Sequence, residues 1–290
     1  ILFWTKRVSV KRIVIFLMAV TVSTELVYNA KLIMTLDGGV EHFTQYAEDE
    51  MKLIGQLQQQ DGGFYRINQT STRDVDGNKL TANYNEGIAY NYKSISGYTS
   101  DPDRNQLLFM KQMGYAICGD VMNVVNTSVL GADSILGVKY VLSSYDIPGL
   151  KKLENIEPGN GKSVYYNPYA LPVAFTYESS NMLPDSEEKD EFLYQNQLFS
   201  YLSGQNVQVN KRIEAEPKAD SNTVGYDVKH MDDPVYGYFN MKDKDGGKVY
   251  VDDQYVTLYN TWLCPRVVYI PQQPDAPSTH VHIDGDNMEN

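Results

Sequence analysis

The segment richest in side chains that could bind a ligand is NYNEGIAYNYKSISGYTS, from Asn83 to Ser100. Its 18 residues include four tyrosines, three asparagines, two glycines and one lysine, and they show no hydrophobic period. A tyrosine ring offers rigid amphipathic area with a polar tip, and an asparagine amide both donates and accepts hydrogen bonds. The composition leaves two alternatives: a disordered loop, or an ordered surface that holds something polar.

The cysteines and histidines do not predict a metal site or a disulfide framework. Cys118 and Cys264 are far apart, and neither has metal-ligand spacing around it. His280 and His282 are two residues apart on one face of a predicted strand, close to Asp284. That pattern fits either a weak surface metal site or solvated residues near the end of the chain, and we predict no metal site.

The charge balance argues against nucleic acid as a partner. The 290 residues carry a formal net charge of −12, with a pI near 4.8, and no basic stripe is present to neutralise phosphates. The hydrophobic content of 42% and the charged content of 21% are typical of a globular protein with a sizeable core. The 23 tyrosines against 9 phenylalanines are typical of exported, β-rich domains.

An apolar stretch near the start predicts a transmembrane helix. Ile13 to Met34 would span about 33 Å as a helix, the thickness of a bilayer core. Four cations precede it in TKRVSVKR, which places that side in the cytoplasm and the residues after about 36 outside the cell. A secretory signal peptide is the alternative, but no A-x-A cleavage motif follows. The apolar ILFW before the cations is typical of an earlier span, so we expect TKRVSVKR to be a cytoplasmic loop in a fragment of a multi-pass protein.

The patterns after this span predict a small extracellular α/β unit. The first helix would place Ala47, Met51, Ile54 and Gln58 on one face. In chain order we predict a helix from Thr44, as its cap, to Gly62, a strand at Phe64–Thr70, a helix capped by Ser100 or Asp101 and ended by Gly114, and a strand within Ile135–Ser144.

A second region begins with VYYNPYALPVAFTY, Val164 to Tyr177, which predicts two aromatic strands joined around Asn167-Pro168. SEEKDEFLYQNQLFSYLSG predicts a helix capped by Asp185 or Ser186 and ended by Gly204. Short alternating runs from Val207 onward predict a β-sandwich or jelly roll. The predicted fold class is therefore α+β, with a membrane segment at 1–36, an extracellular α/β domain at 37–160, and a hairpin, helix and β-sandwich-like domain at 161–290.

Three motifs resemble the YfhO family of bacterial membrane proteins: YNYKSISGYTS (Tyr90–Ser100), LGVKYVLS (Leu136–Ser143) and VYYNPYALPVAF (Val164–Phe175). The resemblance spans roughly Ile13 to Gly204. It implies a multi-spanning protein similar to type-C glycosyltransferases, which take a sugar from a polyprenyl-phosphate carrier on the outer face of the membrane. It further implies an envelope polymer of Gram-positive bacteria, such as lipoteichoic acid, as the acceptor. The catalytic carboxylate of such enzymes lies in an early outer loop, which would be outside this chain, so we assign no catalytic residue.

The resemblance gives the tyrosine-rich segment an expected role as a wall of the cleft where a sugar phosphate and a polyol chain meet. Tyrosine rings would stack on the sugar, and Lys93 or Arg66 would pair with the carrier phosphate. The expected partners are the lipid-linked sugar, the envelope polymer and the membrane, and no cofactor is expected within this chain. The expected substrate-binding residues are Arg66, Asn91, Tyr92, Lys93 and Tyr98.

Other functions are compatible with the same sequence. The chain fits a membrane-anchored, non-catalytic extracellular module whose β-sandwich-like region binds a glycan or a protein. It also fits a structural cap on a membrane bundle. For the tyrosine-rich segment, the alternative to substrate binding is an ordered loop in which Asn85, Asn91 and Tyr92 satisfy one another.

Overall fold

The computed structural model describes residues 2–36, 40–70, 85–99, 101–118, 122–124, 127–178, 182, 184, 190–220, 223–238, 247–259, 267–273 and 275–284, and its fold class is α+β, as predicted. The helices are α1 (Leu2–Leu36), α2 (Val40–Gln60), α3 (Glu86–Ala89), α4 (Arg104–Gln112), α5 (Leu130–Ile135) and α6 (Glu191–Ser203). The strands are β1 (Arg66–Gln69), β2 (Gly97–Tyr98), β3 (Ala116–Cys118), β4 (Met122–Val124), β5 (Val138–Ser143), β6 (Lys151–Lys152), β7 (Ser163–Tyr166), β8 (Glu216–Asp220), β9 (Thr223–Lys229), β10 (Tyr236–Tyr238), β11 (Gly247–Val251), β12 (Gln254–Tyr259), β13 (Val267–Tyr269) and β14 (Ser278–Asp284).

Helix α1 is continuous over 35 residues, roughly 52 Å at 1.5 Å per residue. Its part from Val10 to Ile33 is long and apolar enough to cross a membrane, with a mean hydropathy of 1.7, and none of it is buried against the rest of the described chain. The predicted helix at Ile13–Met34 is therefore confirmed. TKRVSVKR does not form the predicted loop, because it continues the same helix without a break, and its cytoplasmic location stays a prediction.

A four-stranded sheet in the order β1-β5-β7-β6 is the centre of the predicted α/β unit. Strand β1 runs parallel to β5, whereas β7 is antiparallel to both β5 and β6. Because alternate residues of a strand face opposite sides, Tyr140 and Leu142 of β5 contribute to one core and Val141 to another. The sheet therefore has a covered layer on each face.

Helix α2 covers one face of the sheet with Leu53, Ile54 and Leu57, which pack with Ile67, Leu142 and other strand residues. The predicted apolar face of this helix is only partly right, since Met51 and Gln58 are exposed. The helix also begins at Val40 rather than at Thr44.

The opposite face of the sheet packs against α4, α5, α6 and β13. This core joins Met113 and Ala132 to Tyr194 and to Val267 and Tyr269 of β13. Gly114 ends α4 with φ of +90°, and a Cβ atom there would lie 2.7 Å from Val267 Cγ2. A glycine is required at this position for both its backbone conformation and its close contact.

The two predicted helix caps are displaced by a few residues. The Asp103 carboxylate, not Ser100 or Asp101, accepts the Gln106 N–H at the start of α4. Asp190 caps α6 by accepting the N–H groups of the first turn. The predicted caps Asp185 and Ser186 lie outside the described residues, and Gly204 ends α6 in the left-handed conformation, as predicted.

The predicted aromatic hairpin forms only its first strand, β7. Residues 171–178 are irregular, because Pro172 has no N–H to donate and the Leu171 N–H is used by the Ser134 carbonyl. Strand β7 pairs with β5, so the four-stranded sheet continues past residue 160, where the sequence analysis placed a domain boundary.

The later part of the chain forms an antiparallel five-stranded sheet in the order β12-β11-β14-β9-β8 and a two-stranded sheet of β10 and β13. A separate core joins them through Val249, Val268 and Ile283, among others. Strand β13 contributes Val268 to this core and its neighbours Val267 and Tyr269 to the core of the α/β unit. This strand therefore ties the two regions together.

Candidate functional site

From Asn85 onward the tyrosine-rich segment is ordered and lies beside β1. After the short helix α3, the Ile67 N–H of β1 donates to the Lys93 carbonyl at 2.8 Å, and Ser94 forms a parallel bridge with Ile67. The chain folds back closely on α3 at Gly87, where a Cβ atom would lie 2.8 Å from the Tyr92 carbonyl oxygen. A disordered loop is therefore excluded for residues 85–99.

A buried polar network lies beneath this segment, where α2, β1 and the turn before β7 meet. We call it the Lys162 network. Its members are Tyr46 and Glu50 from α2, Gln69 from β1, Glu86 and Tyr92 from the tyrosine-rich segment, and Asn160 and Lys162 from the turn.

The Lys162 ammonium is the centre of the network. It lies 2.8 Å from Glu50 Oε2, and it also donates to Gln69 Oε1 and to the Tyr46 hydroxyl. The side chains of Lys162 and Glu50 are 1% and 0% exposed. A buried ion pair of this kind is costly to break, because either partner alone would be an uncompensated charge.

The Glu86 carboxylate links the tyrosine-rich segment to the rest of the network. Its Oε1 accepts the Tyr46 hydroxyl at 2.8 Å, and its Oε2 accepts the Gln69 amide at 2.7 Å. The same amide donates to the Tyr92 hydroxyl at 2.6 Å. The segment is thereby attached to both α2 and β1.

Burial controls the charge state of this network. It raises the pKa of the Glu86 carboxyl above its ordinary value, and the nearby Lys162 ammonium opposes part of that rise. Burial likewise raises the pKa of the Tyr46 and Tyr92 hydroxyls, so both stay protonated. The Lys162 ammonium is shared by two carboxyl groups, and the raised pKa of Glu86 favours its protonated form.

One acceptor of the network is unused. Glu50 Oε2 accepts from Lys162 and from Asn160, whereas Glu50 Oε1 is buried with no hydrogen-bond partner among the described residues. A water molecule could satisfy it. Since Glu50, Glu86 and Lys162 are at most 5% exposed, the network is closed to a substrate and is suited to hold the segment in place.

The structure gives the predicted substrate-binding residues different surroundings. Tyr92 is partly buried and points into the Lys162 network. Lys93 is exposed, and its ammonium lies 4.7 Å from the ring centroid of Phe64, which is itself 62% exposed. Asn91 is exposed too; its φ is 56°, and its carbonyl accepts from the Gln58 amide.

The other two predicted residues flank this group. Arg66 is partly buried at the start of β1, where its guanidinium donates to the Leu136 carbonyl. Tyr98 lies in β2 and pairs with Met122, but its side chain is outside the described residues. The structure thus places Asn91 and Lys93 on the outside of the segment, and Tyr92 on the inside.

A second buried polar cluster surrounds Asp133 on α5. The carboxylate accepts from the Tyr115 and Ser128 hydroxyls and from the Asn68 amide. Burial raises the pKa of Asp133 to about 6, and these donors oppose the rise. Both carboxylate oxygens have partners, so the cluster joins α5 to β1 and the start of β3 as part of the core. The Asp133 cluster was not predicted from the sequence, where its one signal was an acidic residue on a short apolar helix.

The histidines of β14 form a row on the outer face of the five-stranded sheet. His280 Nδ1 lies 2.7 Å from Asp227 Oδ1, and the His282 ring stacks on Tyr250 with centroids 5.0 Å apart. Among the described residues, no three His, Cys, Asp or Glu side chains are grouped so as to hold a metal ion.

Comparison with known families identifies the chain. The family model for YfhO, described as a bacterial membrane protein, matches residues 1–263. The chain belongs to the YfhO family. The match extends beyond the region of the three motifs, since it includes the strands from β8 to β12. No curated protein and no solved structure matches the chain. Family membership and the apolar helix α1 together assign this YfhO protein to the membrane.

Proposed function

We propose that this YfhO chain is the extracellular portion of a multi-spanning glycosyltransferase. It would transfer a sugar from a polyprenyl-phosphate carrier to an envelope polymer such as lipoteichoic acid in a Gram-positive bacterium. The observation that carries the proposal is the family match over residues 1–263, because YfhO membership suggests a membrane-associated, glycosyltransferase-like role.

The charge pattern of α1 supports the orientation that this reaction needs. The four cations of TKRVSVKR precede Ile13, where the uncharged apolar run begins, and the positive-inside rule predicts that they lie in the cytoplasm. The residues after about 36 would then lie outside the cell, on the side where a lipid-linked sugar is used. The acceptor hydroxyl needs a general base, and the departing phosphate needs positive charge. We propose that the base is supplied by an outer loop that is not part of this chain.

Within the tyrosine-rich segment, we propose a division between binding and positioning. Asn91 and Lys93 are exposed, and Lys93 lies beside the exposed ring of Phe64, so this side offers a cation, an amide and an aromatic face to a sugar phosphate. Tyr92 would act through the Lys162 network, which fixes the segment against β1. Arg66 would contribute through the guanidinium donors that remain beside its bond to Leu136.

The decisive experiment is analysis of teichoic-acid glycosylation in a strain that lacks the full gene. We expect the sugar substituent to disappear and to return when the gene is restored. A restored gene that encodes Lys93→Ala should return less of the sugar substituent than the unchanged gene does, at equal protein abundance. If deletion leaves polymer glycosylation unchanged, the transferase proposal is wrong, and binding of the purified protein to the polymer would favour the non-catalytic module.

A further inference from the structure

Helix α1 carries two polar side chains on one face of its apolar part. Glu25 and Asn29 are four residues apart, so they are neighbours on the helix surface, and Thr21 lies one turn before them. The Thr21 hydroxyl donates to the Leu17 carbonyl at 2.9 Å and is satisfied within the helix. The side chains of Glu25 and Asn29 are exposed, and no hydrogen bond is described for either within the part of the chain that the structure covers.

Both residues lie at a depth where water is absent. The apolar part runs from Val10 to Ile33, so its middle falls between Thr21 and Val22. At 1.5 Å per residue, Glu25 is about 5 Å and Asn29 about 11 Å from this middle. The hydrocarbon core of a bilayer extends about 15 Å to each side of its centre. Lipid chains would therefore surround both polar groups if nothing else covered them.

Hydrocarbon cannot satisfy a carboxyl or an amide group, and ionisable residues inside a membrane almost always face protein or water. We propose that the face of α1 bearing Glu25 and Asn29 packs against another transmembrane helix, which places a hydrogen-bond donor such as an arginine or lysine side chain beside Glu25. The inference concerns membrane packing and does not depend on the sugar-transfer reaction.

A second copy of α1 does not fit this position. Two copies inserted in the same direction around a two-fold axis would place their Glu25 carboxylates side by side at the same depth. Two acidic groups offer each other no complementary charge, whereas an arginine or lysine side chain does, so we propose a helix of different sequence. The opposite face of α1 has the exposed apolar residues Phe16, Val20 and Val27 and the small side chain of Ser23, and it is suited to contact lipid.

Lipid exposure of Val20 and Val22 tests the proposal. The two are the same residue type, and both lie within about 3 Å of the middle of the span. Val22 is about 60° from Glu25 around the helix, and Val20 about 140°.

The protein, with Cys118 and Cys264 replaced by serine, is purified from its native membrane with a fluorophore on a cysteine introduced at position 20 or 22. It is then reconstituted with lipids brominated at the chain ends. We expect quenching at least about twofold stronger at Val20 than at Val22, and equal quenching would overturn the proposal.

Substitutions at Glu25 test the chemistry of the contact. Glu25→Gln keeps hydrogen-bonding capacity and should preserve the shielding of Val22, whereas Glu25→Leu should make the two positions equally quenched. Ser23→Leu, about 160° from Glu25, is the matched control and should change neither value. Persistent shielding in Glu25→Leu would contradict the polar contact. Loss of shielding on dilution of the protein in lipid would identify a second copy as the covering helix and overturn the proposal.

Discussion

Replacement of Lys162 by methionine tests whether the buried network holds the tyrosine-rich segment in place. Methionine keeps much of the side-chain volume but removes the ammonium that lies 2.8 Å from Glu50 Oε2 and donates to Gln69. The Glu50 and Glu86 carboxyl groups would then be buried without a cation. We expect the α/β unit to lose stability and the segment to detach from α2.

The expected loss is large because the ion pair is closed to water. Removal of one partner from a buried pair costs about 3–5 kcal/mol. With a urea dependence of about 3 kcal/mol per molar, the unfolding midpoint should fall by about 1–1.7 M. The measurement is equilibrium urea unfolding of residues 39–290 at pH 8, followed by tyrosine fluorescence and circular dichroism.

Lys139→Met is the matched control. Lys139 forms an ion pair with Asp61, but its side chain is 37% exposed, so its loss should cost less than about 1 kcal/mol. If the two variants unfold at the same urea concentration, the Lys162 network does not have the structural role we assign to it.

The cost should also depend on pH. The pKa of Glu86 is raised in the folded state, so the folded protein binds the Glu86 proton more tightly than the unfolded chain does. The stability that this group contributes is therefore lost as the pH rises from about 4.5 through the raised pKa. The Lys162 ammonium lowers the pKa of Glu86. Without it, Glu86 would stay protonated, and would keep its contribution to stability, up to a higher pH. The cost of Lys162→Met should therefore be smaller at pH 5 than at pH 8, and a pH-independent cost would contradict the electrostatic account.

Three further predictions concern topology, the isolated domain and the tyrosine-rich segment. A cysteine introduced at Ser221 should react with an impermeant reagent on intact cells, and one at Ser9 should not; the reverse result would overturn the orientation. Residues 39–290 expressed alone should fold, as judged by a cooperative thermal transition, but should transfer no sugar, so transfer by this piece would disprove the assignment of the base to another loop. In the full-length protein, Lys93→Ala should lower glycosylation per inserted molecule about ten- to a hundredfold, which corresponds to about 1–3 kcal/mol. Tyr92→Ala should instead lower protein abundance, measured by immunoblot of membranes, because it removes an anchor from the network; unchanged abundance with lost transfer would place Tyr92 in the cleft.

The sequence predicted the elements of the fold better than their ends and faces. Strand β5 was evident in GVKYVLS, and Gly114 and Gly204 correctly marked the ends of α4 and α6. The cap of α4 was misplaced because three residues that can cap a helix, Ser100, Asp101 and Asp103, lie within four positions, and local sequence does not choose among them.

The face of α2 was misassigned for a different reason. Its buried residues are Tyr46, Glu50, Leu53, Ile54 and Leu57, and the first two carry polar groups that break the apolar pattern. Glu50 is buried only because Lys162 neutralises it from the other end of the unit. Spacing along one helix contains no information about such a partner, although an acidic residue in register with buried leucines is a signal that a cation lies opposite.

The same physical reason explains why the tyrosine-rich segment has no hydrophobic period. Glu86 and Tyr92 face the interior through hydrogen bonds to Tyr46 and Gln69, so these two inward positions are polar, whereas Ile95 joins the apolar core. Lys93 faces outward and is polar because it meets solvent. An alternation of apolar and polar residues marks a buried face only when that face meets other apolar groups. A polar segment without such a pattern can therefore be as firmly fixed as a strand, provided that each buried group has a partner elsewhere in the chain.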